Sequence, residues 1–260
     1  MLGSNIEVLP CTRFDDVFRS LSQKRVDAAV VPIENTLAGS VHENYDHLLE
    51  YNLPIVAETN VRIVHNLIGP PGVPLKKIRQ VYSHPVALNQ CLKFFVSHPK
   101  LESVPFYDTA GSVKMIMEQQ RTDAAAIASS VAAEIYGARI LKQSIEDDRQ
   151  NFTRFFLLRR PANKSRKAEP AAPKGWKTSL VFTTAKNSPG SLFRCLSVFA
   201  LRDISLAKIE SRPLRGKPFE YLFYLDFFGH IEEKKCRNAL GHLGEWSDFL
   251  RVLGCYPRGD

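Results

Sequence analysis

At 260 residues the chain has room for two domains of the usual ~100–200 residues. Hydrophobic residues make up 44% and charged residues 24%, and no apolar run approaches the ~20 residues that span a bilayer, so no membrane role is expected. The net charge is +8, but Arg159, Arg160, Lys164, Arg166, Lys167 and Lys174, opposed by Glu169 alone, place +5 of it in one short stretch; that is the signature of a solvated linker, and no nucleic-acid partner is expected.

The five cysteines, Cys11, Cys91, Cys195, Cys236 and Cys255, are odd in number and include no C-x-x-C pair. Isolated thiols fit a reducing compartment. Met1 to Pro10 lacks a basic stretch followed by an apolar core, and it is not rich in Arg and Ser. A cytoplasmic location is therefore expected, or the plastid stroma for a processed plant protein.

Thr12 is placed to cap a helix that carries Phe14, Val17, Phe18 and Leu21 on one face. Val26 to Val31 reads as an apolar strand ended by Pro32. Ser40 to Leu49 has helical spacing, and Ile55 to Leu67 is β-branched and strand-like. Gln80 to Ser83 is a short strand, and Pro85 opens a helix through Leu88, Cys91, Leu92 and Phe95. Val104 to Tyr107 and then Gly111 to Gln120 give a further strand and helix. Asp123-Ala124-Ala125-Ala126-Ile127 echoes Asp27-Ala28-Ala29-Val30-Val31. The alternation predicts parallel α/β layers in two similar lobes facing a cleft. A strand then runs from Asn151 through Leu158.

Residues 160–175 hold three prolines, several lysines and almost no large apolar residue, which reads as a linker. It divides the chain into 1–159 and 176–260. The second part reads strand (Thr178 to Ala185), helix from Pro189-Gly190, strands Ile204 to Ser211 and Phe219 to Phe228, helix Ile231 to Leu243 and strand Phe249 to Tyr256. That βαββαβ order is the ferredoxin-like arrangement.

Three strand-to-helix turns in the first part are polar: one with Asn35, Thr36 and Ser40, one with Ser83 and His84, and one with Thr109, Ala110 and Gly111. Such turns present backbone amides at helix N-termini, which suits a small dianion. In Asn151-Phe152-Thr153-Arg154-Phe155 a hydroxyl and a guanidinium sit side by side among aromatics. Thr153 would hydrogen-bond a departing oxygen, and Arg154 would orient a carboxylate or a neighbour. Each of these also has an ordinary structural reading, as a capped turn or a strand threonine. His42 and His47 are five residues apart, so they do not share a helical face as a zinc-binding H-E-x-x-H pair would. No other histidine cluster, Gly-rich phosphate loop or G-x-S-x-G elbow is present.

Taken together, these motifs resemble the prephenate dehydratase family, including its plant arogenate dehydratases. The matching segments are Pro32-Ile33-Glu34-Asn35-Thr36 with Gly39-Ser40-Val41, Ser83-His84-Pro85 with Gln90-Cys91, Asp108 to Gly111, Ala126 to Ser129 with Tyr136-Gly137, and Asn151 to Phe155. Glu210-Ser211-Arg212-Pro213 is similar to the signature of the phenylalanine-binding ACT domain, and Phe249 to Pro257 also matches.

The resemblance implies a two-lobed, periplasmic-binding-protein-like catalytic domain followed by a ferredoxin-like ACT domain. It implies decarboxylating dehydration of prephenate to phenylpyruvate, without metal or cofactor because aromatisation drives the reaction. Thr153 and Arg154 would be catalytic. Asn35, Thr36, Ser40, Ser83, His84, Thr109, Ala110, Gly111, Asn151 and Phe155 would bind substrate. Gly190, Ser191, Leu192, Glu210, Ser211, Arg212 and Pro213 would bind L-phenylalanine, in a homodimer or homotetramer, with Ser191 standing where the family usually has alanine. The family also begins with a strand and a Gly-rich turn that are expected to be missing here. That leaves open a truncated, non-catalytic phenylalanine-binding module; an arogenate dehydratase also stays open, because the two substrates differ only by a keto versus an amino group and no residue decides between them.

Overall fold

The computed structural model describes residues 6–161, 175–185, 188–214 and 216–259. The linker expected over 160–175 lies outside the described residues from 162 to 174, as do Asn187 and the first five residues. In chain order the elements are α1 (Phe14–Ser22), β1 (Ala28–Asn35), β2 (Gly39–Ser40), α2 (His42–Tyr51), β3 (Ile55–Arg62), β4 (Asn66–Gly69), β5 (Gln80–Ser83), α3 (Pro85–Asn89), α4 (Leu92–Ser97), β6 (Glu102–Pro105), α5 (Thr109–Glu118), β7 (Ala124–Ala128), α6 (Ser130–Ile135), β8 (Arg139–Lys142) and β9 (Phe152–Arg159). The remaining elements are β10 (Trp176–Thr183), α7 (Ser191–Ala200), β11 (Leu206–Pro213), β12 (Tyr221–Phe228), α8 (Lys234–Glu245) and β13 (Phe249–Pro257).

These elements group into two compact units. The smaller holds Asn35–Gly39 and Val61–Thr153; the larger holds the chain up to Glu34, Ser40–Asn60 and the chain from Arg154 onward.

The smaller unit is built on a five-stranded sheet in the order β6-β5-β7-β4-β8. β5 is parallel to β6 and β7, whereas β4 is antiparallel to β7 and β8. The parallel layer expected from sequence is thus one half of a mixed sheet. β7 is buried at all five positions. Ala125 and Ile127 join the cluster of Leu67, Val81, Leu88 and Phe94, while Ala124, Ala126 and Ala128 join that of Ile68, Val113 and Ile116. Side chains alternate across a strand, so burial of both sets means that both faces of β7 are covered.

The larger unit holds two four-stranded sheets, β2-β1-β9-β3 and β11-β12-β10-β13. β10 is antiparallel to both β12 and β13, and β11 is antiparallel to β12. Numbered within this segment the order is 2-3-1-4, that of a ferredoxin-like sheet, as the βαββαβ pattern predicts. Leu180 and Phe182 pack with Cys195, Phe199, Ala239 and Leu243 of α7 and α8. Val181, between them, faces the other way and shares a core with Phe18, Val31, Ile33, Tyr224 and Tyr256. Burying each such side chain contributes roughly 1.5–3 kcal/mol. β13 approaches β3 so closely that a Cβ on Gly254 would collide with the Ile55 carbonyl oxygen. The β10–β13 register also shifts beside Gly254, between Ser179 and Leu180.

Several local expectations are corrected. Helix α1 starts after Arg13 with no side-chain cap, so Thr12 is not its cap. Pro32 does not end β1, which continues to Asn35. On one side β1 has only the two-residue β2, so a missing N–H is tolerated there. The long strand from Ile55 breaks before His65, where the Ile63 amide turns to Asn151 O (2.8 Å) and the His65 amide to Glu146 Oε2 (3.0 Å). The helix opened by Pro85 breaks at Gln90–Cys91. Asp147 then caps the second piece, accepting from the amides of Leu92 (2.9 Å) and Lys93 (3.0 Å). Such a cap comes from far along the chain and cannot be read locally.

Candidate active site

The smaller unit gathers Asn35, Thr36, Asn151, Phe152 and Thr153 around one side chain. Asn35 Oδ1 accepts from the amides of Leu37 (3.0 Å) and Ala38 (2.8 Å), closing the turn after β1. Backbone N–H groups can only donate, so this fixes which end of the Asn35 amide is which. Its Nδ2 then faces Asn151 Oδ1 (2.7 Å), Thr153 Oγ (3.0 Å) and the Phe152 carbonyl (3.2 Å). Thr36 completes the junction: its hydroxyl donates to Gln150 O (2.7 Å) and accepts from the Phe152 amide (3.0 Å).

Because Thr153 Oγ accepts from Asn35, its own proton is turned away from Asn35 and toward whatever acceptor lies beyond. Asn151 is fully buried and passes the chain on, donating Nδ2 to Gln90 Oε1 at 2.9 Å. Gln90 Oε1 also takes His65 Nε2 at 2.8 Å, which requires the proton on that nitrogen. His65 is held through its backbone amide by Glu146, which also meets Arg62 at 3.4 Å. The line His65, Gln90, Asn151, Asn35, Thr153 is composed of neutral amides, an imidazole and a hydroxyl.

Sequence reading did not assign roles to Gln90 and His65. Gln90 sits at the break between α3 and α4; its signals were the Gln90-Cys91 match to the family and a polar residue ending an otherwise apolar helix face. Beside it, Cys91 is no nucleophile: burial, then Asp147 and Glu146, push its thiol up to about 12.

The other expected turn residues have local duties. Ser83 is buried and donates its hydroxyl to Ile127 O at 2.7 Å. His84 caps α3, its Nδ1 accepting from the Val86 amide at 3.2 Å. Thr109, Ala110 and Gly111 form the first turn of α5, but Asp108 already takes the Gly111 amide at 2.7 Å rather than leaving it for a ligand. Phe155 is half-buried on β9. Among the described residues no group of three or more His, Cys, Asp or Glu side chains is placed to hold a metal ion.

Arg154 and Ser40 correct the sequence reading. Adjacent strand residues face opposite ways, and the Arg154 guanidinium is taken up entirely within the larger unit. It donates to Glu58 Oε2 (2.8 Å), Asp226 Oδ2 (2.7 Å) and the Tyr256 hydroxyl (3.1 Å), and lies 4.7 Å from the Phe156 ring centre. Burial pulls its pKa down, but Asp226, Tyr256 and Glu58 outweigh that and raise it. Glu58 also receives Lys177, and Asp226 receives Ser179 at 2.5 Å. Burial, and then Asp226, push the Tyr256 hydroxyl well up, so it stays a donor. Arg154 therefore ties β9 and β3 to the C-terminal sheet, with its bonds directed into the protein. Ser40 donates to Glu210 Oε2 and accepts from Lys208 Nζ, both at 2.9 Å, so its hydroxyl serves β11.

The expected effector residues lie in two places. Gly190, with φ +82°, precedes α7; Ser191 Oγ bonds back to Ser188 O at 2.8 Å. With Leu192, Lys217, Tyr221 and Asp248 they line a cavity of about 470 Å³. Glu210, Ser211, Arg212 and Pro213 lie on β11 and do not line it. Exposure alternates along β11. Glu210 and Arg212 point inward to Ser40, His42 (3.5 Å) and Asp46 (3.3 Å), while Ser211 and Pro213 point outward.

The family model for prephenate dehydratase matches residues 1–163. Arogenate dehydratase/prephenate dehydratase 2, chloroplastic, of Arabidopsis thaliana is 45% identical over 265 residues, covering 97% of this chain and 67% of the relative. Arogenate dehydratase 2 of Petunia hybrida is 45% identical over 270 residues, covering 97% and 66%. The chain thus spans about two thirds of the length of these curated relatives. Among solved structures, prephenate dehydratase from Arthrobacter aurescens in complex with L-Phe is 33% identical, with a TM-score of 0.85 over 96% of this chain and 81% of that one. GqqA, described as a novel type of quorum-quenching acylase, is likewise 33% identical, with a TM-score of 0.88 over 98% and 90%. With the Asn35–Thr153 junction and the ferredoxin-like C-terminal sheet in place, the chain belongs to the prephenate dehydratase family.

Proposed function

We propose that this chain removes carbon dioxide and hydroxide from prephenate, giving phenylpyruvate for phenylalanine synthesis, with Thr153 as the group that assists the leaving oxygen. The observation that carries the reading is the 3.0 Å hydrogen bond from Asn35 Nδ2 to Thr153 Oγ, with the Asn35 amide fixed by Leu37 and Ala38. As the ring carboxylate leaves as carbon dioxide, its bonding pair enters the ring and the opposite C–O bond breaks. The departing oxygen gains negative charge and accepts the Thr153 hydrogen bond. Threonine is too weak an acid to ionise, so its contribution is a placed donor backed by Asn35, with the proton delivered by water.

A site of amides and hydroxyls suits a dianion, since no carboxylate in the line repels it. Asn151 and Gln90 position Asn35, and Thr36 fixes the strand junction. Arg154 supports the strand and makes no contact with substrate.

Arogenate is a second reading of the same site, favoured by the Arabidopsis and Petunia relatives, whose names carry that activity. The C-terminal segment, 176–260, is proposed as an ACT domain that binds L-phenylalanine and inhibits turnover. Its two effector motifs lie apart on one chain, which favours a site completed by a second copy and hence a homodimer or a dimer of dimers. The word chloroplastic in the Arabidopsis relative's name favours the plastid stroma. Among the described residues no helix is long and apolar enough to cross a membrane.

The test is to incubate the purified chain with prephenate and follow phenylpyruvate absorbance, with arogenate and phenylalanine release in parallel. The expected result is turnover of at least one substrate, lost in Thr153→Ala. A folded chain that binds phenylalanine and turns over neither would leave it a regulatory module.

A further inference from the structure

Lys208 lies on β11 two residues before Glu210, on the same inward face, with its side chain only 10% exposed. Its ammonium meets Ser40 Oγ at 2.9 Å, Glu34 Oε1 at 3.0 Å and Glu210 Oε2 at 3.4 Å, and it lies 5.7 Å from the centre of the Tyr45 ring. Glu34 and Ser40 are the residues immediately before and after the Asn35–Gly39 turn. One cation therefore holds both ends of the turn that presents Asn35. The next pair outward is closed by the backbone, the Val41 amide donating to Ile33 O at 2.9 Å.

From this geometry we infer that Lys208 is a positioning residue for Asn35, and through it for the Thr153 hydroxyl. An ammonium has three donors on a compact centre, and here three acceptors converge on it. A guanidinium is planar and would not meet all three from the same place. The Ser40 hydroxyl adds a second tie by donating to Glu210. Without Lys208, Glu34 keeps only Arg154, at 3.9 Å, and Glu210 keeps His42 and the Ser40 hydroxyl, so no cation bridges the two carboxylates and they repel each other across the turn ends. The turn then opens, and Asn35 loses the two amide contacts that fix its orientation.

The catalytic consequence rests on the proposed role of Thr153, so the experiment has two arms. The first measures amide hydrogen exchange in the full chain and in Lys208→Met, an unbranched side chain one atom shorter that has no donors. The Leu37 and Ala38 amides, which bond Asn35 Oδ1, are expected to exchange at least about tenfold faster, while the buried amides of Ala125 to Ile127 in β7 stay unchanged. Equal acceleration in β7, or none at Leu37 and Ala38, would overturn the inference, whatever the activity. The second arm measures turnover. Misplacing a catalytic group by about 1 Å costs up to about 100-fold, so Lys208→Met is expected to lower kcat by about tenfold or more with KM changed less. Lys208→Arg should recover part of that loss. An inactive parent chain would sink the Thr153 reading and leave the exchange result to decide the role of Lys208. If Lys208→Met does not fold, Ser40→Ala removes one acceptor, and it should speed the same two amides by a smaller factor. No change there would equally overturn the inference.

Discussion

Thr153 and Arg154 are neighbours in sequence but sit in opposite chemical settings. Around Thr153 the polar groups are neutral: the amides of Asn35, Asn151 and Gln90 pass hydrogen bonds along a line with spare donor capacity at its end. Around Arg154 they are ionic, and the charges are balanced internally, with Arg154 and Lys177 facing Glu58 and Asp226. A neutral line can receive a dianion without first losing a partner. A closed ionic cluster cannot, because any ligand must break a buried pair. The same strand thus carries chemistry on one residue and attachment on the next.

The sharpest way to break this contrast is Thr153→Ala. Turnover is expected to fall about 100- to 10,000-fold, the range for a placed proton or hydrogen-bond donor, with phenylalanine binding unchanged. A loss below tenfold would place the chemistry elsewhere. Arg154→Met is the opposite case. It strands Asp226 without its cation and leaves Glu58 with Lys177 alone, and removing one partner of a buried pair typically costs about 3–5 kcal/mol. Urea unfolding should show the loss, and full stability with lost turnover would make Arg154 catalytic after all.

Asn35→Asp tests neutrality itself. The new carboxylate gives up the Nδ2 donors, faces Asn151 Oδ1 with like polarity and repels an anionic substrate. Losing one preorganised donor costs on the order of 100- to 1,000-fold in kcat, and here KM should rise as well. Gly254→Ala should have the smallest effect. A methyl group there pushes against the Ile55 carbonyl, and overpacking typically costs about 1–3 kcal/mol. Thermal unfolding should show a lower midpoint.

Much of this is legible in the amino-acid sequence. The βαββαβ order of the last segment follows from strand and helix periods, and the strand order 2-3-1-4 agrees with it. Asn35 and Thr36 were marked by a polar strand-to-helix turn, and Asn151 and Thr153 by a hydroxyl and a guanidinium side by side among aromatics, and they meet in space. Ser40 and Arg154 were marked by the same two motifs and serve other contacts, because motif proximity along the chain does not say which face a side chain takes. Lys208 carried no signal, since a lysine in an alternating strand reads as solvent-facing.

The sequence by itself determined the family, the element types and the uncharged residues at the turn after β1, since these depend on local periodicity and on motifs a few residues long. Tertiary structure alone decided that Gln90 and His65 join the Thr153 line, that Asp147 caps a helix far from it in sequence, and that Lys208 grips the two ends of the Asn35–Gly39 turn. Those contacts join residues tens to more than a hundred positions apart. Their existence depends on where packing of the sheets brings each side chain, and nothing local to a residue encodes that.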